Sequence, residues 1–91
     1  MKKKLYLRDI DPALFAGMED QNMKLIENNF NSKVVLRGNE LHIDGNKKEL
    51  DDIESLVNDI VFTINQKGFI DNKDIDILIN SSSKNNTKLN N

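Results

Sequence analysis

Apolar residues recur along this chain with two distinct periods. Leu5 and Leu7 alternate with Tyr6 and Arg8, the two-residue period of a strand buried on one face. Asp11-Pro12 follows, a carboxylate able to accept backbone N–H groups and a proline pre-set for the first helical position. A short helix is therefore expected through Ala13, Leu14, Phe15 and Ala16, ending at Gly17. Met23, Ile26 and Phe30 then fall on one helical stripe, which predicts a second helix from Asp20 to Asn29 with acidic residues at its positive end.

Val34 and Leu36 alternate across Val35, and Leu41 and Ile43 across His42, with Gly38-Asn39 between them. Two alternating runs joined by a dipeptide that accepts positive φ predict a β-hairpin. Asn46 is placed to cap the next helix, with Glu49 reaching back from the third position. Leu50, Ile53, Val57, Ile60 and Ile64 form a long stripe that stops at Gly68. Asp71 suits the start of a short last helix with Ile75, Leu78 and Ile79 on one side, and the polar run SSSKNNTKLNN predicts a disordered tail or linker over 81–91. The fold class is α+β.

Ninety-one residues hold one small core. With no Trp, one Tyr and four Phe, that core must be aliphatic. Thirteen Lys and Arg against fifteen Asp and Glu give a net charge of -2, so any attraction to nucleic acid must come from a local basic patch. The absence of cysteine excludes disulfides and thiolate metal sites, and cytoplasm is the expected compartment. The basic opening Met1 to Lys4 is interrupted by Arg8, Asp9 and Asp11 before any apolar run forms, so no leader peptide is expected.

The predicted order of elements, β-α-α-β-β-α, resembles the type I KH arrangement, a three-stranded sheet covered on one face by helices, here with a short C-terminal helix added. KH domains are similar to one another around a Gly-x-x-Gly loop followed by an apolar-Lys-x-apolar-Glu stretch. In this chain Gly17-Met18-Glu19-Asp20 precedes Met23-Lys24-Leu25-Ile26-Glu27, with Asp20 at the place of the second glycine. Among KH-like domains it most resembles the leading segment of PhoH-family ATPases, over LFAGMEDQNMKLIENNF, VVLRGNELHIDG and the long helix. Arg37-Gly38-Asn39 followed by Leu41, Ile43 and Gly45 is the most characteristic piece, and the resemblance covers residues 3 to 80.

This resemblance implies a KH-like domain over 1–70, a short connecting helix over 71–80, and a place at the front of an ATP-binding protein whose ATPase domain is missing here. The signature G-x-x-x-x-G-K-[ST] occurs nowhere in the sequence, so ATP and Mg would belong to that missing domain and this chain is expected to be no enzyme and to hold no cofactor. The family is associated with RNA metabolism, which implies a weak RNA-binding accessory module. The implied RNA-binding residues are Gly17, Met18, Gln21, Lys24, Lys33 and Arg37, and the implied partners are single-stranded RNA, the ATPase domain or further copies in a homo-oligomer, and an endoribonuclease of ribosomal RNA maturation.

Elementary chemistry weighs against an intact phosphate site. A KH loop lets its backbone approach phosphates and presents N–H groups at a helix start. Glu19 and Asp20 put two negative charges there, each opposing a phosphate at ~5 Å by about 1 kcal/mol even in water. The structural alternative is that Gly17 ends one helix and Asp20 starts the next. Lys24, Lys33 and Arg37 could flank the groove with Lys2 to Lys4, or form an ordinary solvated face. An alternative function is protein docking, through the exposed sheet face and the apolar stripe of Ile75, Leu78 and Ile79. His42 is the sole histidine, no Ser or Cys has a spaced base, and Asp51-Asp52 and the acidic run from Asp71 to Asp76 lack the features of a calcium loop.

Overall fold

In the computed structural model, which describes the backbone of residues 1–88 and the side chains of residues 1–81, strand β1 runs Lys2–Tyr6 and helix α1 Pro12–Ala16. A 3-10 turn over Met18–Asp20 leads into α2 (Gln21–Asn29), followed by β2 (Lys33–Arg37), β3 (Glu40–Asp44), α3 (Lys47–Lys67) and α4 (Asn72–Lys88). The class is α+β, with one antiparallel sheet in the order β1-β3-β2.

Register decides what each face of the sheet carries. Leu5 and Leu36 flank Leu41, while Lys4 and Val35 flank His42. Successive side chains point to opposite faces, so Leu41, Ile43 and Val34 are buried together and Glu40, His42 and Asp44 face outward. The hairpin closes through Gly38, whose φ of 61° at the first central position suits glycine. The buried face shares a single aliphatic cluster with Phe15, Ile26, Ile53, Ile60 and Ile64 of the helices. Each such side chain contributes about 1.5–3 kcal/mol on leaving water.

The long helix begins as expected, with Asn46 Oδ1 accepting from Glu49 N at 2.8 Å, and ends at Gly68, which takes a left-handed φ of 87° and donates its N–H to Ile64 O at 2.7 Å. Glu49 does not reach back to the cap. Its carboxylate instead accepts from Ser32 Oγ and from Asn31 N at 3.1 Å, tying α3 to the entry of β2. Gly45 makes this junction possible, because a Cβ there would collide with Ser32 Oγ.

The last helix is longer than expected. It continues to Lys88, past the ten residues foreseen and into the stretch expected to be a tail; residues 89–91 of that stretch lie outside the described residues. Neither glycine nor proline follows Asp71 to stop it. The helix packs on α2 and α3 and buries Ile75 and Ile79 in the common cluster. Asp71 starts it as expected, its Oδ1 accepting from Asp74 N at 2.9 Å. Among the described residues no helix is long and apolar enough to cross a membrane.

Candidate nucleic-acid interface

Asp11 Oδ1 accepts from Ala13 N at 2.9 Å and Gly17 N donates to Ala13 O at 3.0 Å, so α1 is a single capped turn that delivers the chain into the Gly17 loop. Gly17 has φ 82°, and Glu19 and Asp20 follow at 55° and 59°. Two non-glycine residues in the left-handed region each cost on the order of 1 kcal/mol. Asp20 thus holds the left-handed conformation that glycine adopts freely. In that conformation its carboxylate makes no hydrogen bond to the first turn of α2, so Asp20 starts the helix without capping it.

Below this loop, α2 and β2 enclose a groove of about 670 Å³. Met23, Phe30, Val34 and Leu36 supply apolar lining, and Lys24 and Lys33 supply cations. Asp20 and Glu27 add two carboxylates to the same groove. An apolar floor with cationic edges accommodates an unpaired base and its phosphate, and the two carboxylates offset much of that attraction.

Of the expected contact residues, Lys24 and Lys33 come together in this groove. Gly17 is half-buried behind it, because a Cβ there would stand 2.7 Å from Asn22 Nδ2. Met18 is 81% exposed at the loop tip, and Gln21 is exposed on the first turn of α2; neither lines the groove. Arg37 sits elsewhere, beside a second depression of about 560 Å³ on the outer face of the sheet, with Lys2, Lys4, Lys33 and His42. Lys2 and Lys4 therefore meet β2 across β3 and do not flank the groove. Lys3 turns to the other face, where its Nζ lies 2.6 Å from Glu54 Oε1; that hydrogen bond holds the Lys3 ammonium above the usual lysine range.

Two further features had no signature in the sequence. Asn22, 2% exposed, bonds to both Ile70 O and Asn72, joining the loop to the start of α4. Its only sequence signal is a polar residue beside Met23 on a stripe otherwise apolar. The Ser32–Glu49 contact ties the groove-lining Ser32 to α3, and the Ser32 hydroxyl first, then the Asn31 N–H, holds the Glu49 carboxyl below the usual glutamate range. The apolar stripe of α4, a candidate docking surface, is consumed internally: Ile75 is 0% and Ile79 7% exposed, with Leu78 packed against them. Among the described residues no group of three or more carboxylate or imidazole side chains is placed to hold a metal ion. No family model, curated protein or solved structure matches the chain.

Proposed function

We propose that this chain is a KH-like module of the type I order that binds single-stranded RNA weakly in the groove between α2 and β2, as the N-terminal accessory domain of a PhoH-type ATP-binding protein in the cytoplasm. The observation that carries the reading is the groove itself, an apolar channel edged by Lys24 and Lys33 and opening beside the Gly17 loop. The element order and the β1-β3-β2 sheet support the KH comparison. The left-handed backbone at Asp20 supports it further, because the position keeps a glycine's geometry without a glycine.

On this reading ATP belongs to a domain other than this one. Its glycines at 17, 38, 45 and 68 stand singly in four separate turns, none of them a loop that could wrap a phosphate before a Lys-Ser or Lys-Thr pair. The reading therefore gives these residues no catalytic step. They hold a strand of RNA for chemistry performed elsewhere, by the ATPase domain or by an endoribonuclease partner. Docking on that domain or on further copies is less well supported, since Ile75 and Ile79 are already buried within the chain.

The test is titration of labelled single-stranded RNA at low salt against the unaltered chain, Lys24→Gln, and the pair Glu19→Gly with Asp20→Gly. Weak binding that Lys24→Gln diminishes and the double glycine variant strengthens is expected. Removing two carboxylates facing a phosphate should tighten binding by roughly tenfold. No binding by any form at submillimolar RNA would sink the reading.

A further inference from the structure

We infer that the outer face of the sheet is a second phosphate-binding surface, continuous with the groove, onto which a single strand of RNA passes at Lys33; this rests on the RNA reading above. Lys33 is the joint, because it lines both the groove and the depression on the outer face. From there the cations stand in two tracks. Lys33 and Arg37 lie along β2, and Lys2 and Lys4 along β1. With neighbouring strands about 4.8 Å apart, the tracks are separated by about 10 Å, with β3 between them.

The charge on this face runs against that of the whole chain. Four cations stand against the two carboxylates of β3, Glu40 and Asp44, in a protein whose total is -2. Glu40 is engaged with its neighbours, its Oε1 3.1 Å from His42 Nε2 and 3.9 Å from Lys4 Nζ. Among the described residues no carboxylate oxygen lies within 4.0 Å of the Lys2, Lys33 or Arg37 side-chain nitrogens. Their charge is available to a ligand.

The chemistry of the face favours a polynucleotide over an acidic protein segment. Besides the lysine stems its apolar side chains are few, the half-buried Val35 and the 48% exposed Tyr6 ring, and lysines, which are depleted at the centres of protein interfaces, dominate it. Tyr6 lies in the same cross-strand row as Glu40 and Arg37, and Arg8 Cζ stands 5.6 Å from the ring centroid. An exposed aromatic ring with the Arg8 guanidinium beside it is a platform for stacking one base, while the lysines meet phosphates without reading sequence.

The experiment compares a tetranucleotide, long enough for the groove, with an oligouridylate about three times as long, by fluorescence anisotropy. The unaltered chain is measured beside Lys4→Gln with Arg37→Gln, and beside Lys24→Gln. The paired sheet-face variant should weaken the long RNA by about tenfold, lower its salt slope by about 1.4 for two lost phosphate contacts, and leave the tetranucleotide within about twofold. Its melting curve by circular dichroism should match the unaltered chain. Equal affinity of variant and unaltered chain for the long RNA, with the tetranucleotide still bound, overturns this inference and leaves the groove reading intact. Loss of long-RNA binding in the sheet-face variant but not in Lys24→Gln would put the RNA on the outer face alone and overturn its passage from the groove at Lys33. No binding at either length overturns both, and a polyglutamate peptide that displaces the long RNA at equal concentration overturns the choice of RNA as occupant.

Discussion

Asn72 Nδ2 donates to the buried Asn22 Oδ1 at 2.8 Å, which locks the start of α4 to the first turn of α2. The orientation of the Asn22 amide follows from its second contact, since only Nδ2 can donate to Ile70 O, at 3.2 Å. The same nitrogen faces Gly17, where a Cβ would approach within 2.7 Å. One side chain thus fixes the spacing of the candidate RNA loop, α2 and the segment that enters α4.

Removing it should cost more than removing its exposed partner. Asn22→Ala leaves the Ile70 carbonyl without its donor and is expected to lower stability by about 1–3 kcal/mol, against less than about 1 kcal/mol for Asn72→Ala. Urea unfolding midpoints measure both. Gly17→Ala should also destabilise, through its φ of 82° and through contact with Asn22, and its cost should shrink in an Asn22→Ala background, because the colliding amide is gone. Losses within about 0.5 kcal/mol for both Asn22→Ala and Asn72→Ala would show that the network does not bear on stability.

Relief of strain at the loop is a separate expectation. Asp20 sits at φ 59° with no cap bond to compensate, so Asp20→Gly removes a left-handed penalty of about 1–2 kcal/mol while adding unfolded-state entropy worth somewhat less. A net gain of about 0.5–1 kcal/mol is expected in the urea midpoint. Asp20→Ala is the control, since it removes the charge but keeps the Cβ. If alanine stabilises as much as glycine, charge repulsion and not backbone strain is the cause.

These residues also show where the sequence was informative. Element order, the Asn46 and Asp71 caps, the Gly68 stop and the stripe from Leu50 to Ile64 were all legible, because each depends on neighbours within a few positions. What lay hidden depends on distant pairing. The register of β1 on β3, contacts across some forty residues of chain, decides that Lys2 and Lys4 join Lys33 and Arg37 and not the groove. Glu49 was suited to a capping box by spacing, yet Ser32, seventeen residues away, took its carboxylate. Polar residues from Ser81 onward suggested a tail, whereas the helix anchored by Ile75 and Ile79 runs on to Lys88 through weak helix formers, with no glycine or proline to stop it.

The Ser32–Glu49 contact carries a pH dependence with a definite sign. Hydrogen bonds from the Ser32 hydroxyl and the Asn31 N–H favour the ionised carboxylate, so the folded chain holds this group below the ordinary glutamate value. Below that ordinary value the unfolded chain binds more protons. The stabilisation is therefore complete above it and is lost as pH falls through the lowered value of the folded state. Glu49→Gln should lower the urea midpoint at neutral pH, and the gap to the unaltered chain should narrow as the pH falls below the ordinary glutamate value. A gap that stays constant from neutral to acid pH would mean that packing, and not charge, is what the substitution removed.

Whether α4 belongs to the fold or merely leads away from it is decided by two isoleucines two positions apart. Ile75 is 0% exposed in the cluster shared with α2 and α3, while Ile77 on the opposite side is 59% exposed. Replacing Ile75 by Ala removes buried methyl and methylene groups and leaves a cavity, a change that costs about 2–5 kcal/mol in a packed core. Ile77→Ala removes atoms already in water and should stay within about 0.5 kcal/mol. A protein of this size has only about 5–15 kcal/mol to lose, so the first variant should show a large drop in the unfolding midpoint with a single cooperative transition. If both variants unfold like the unaltered chain, α4 is a connector in solution and its packing on α2 adds nothing to stability. If Ile75→Ala instead splits the transition in two, α4 unfolds separately from the sheet and the other helices.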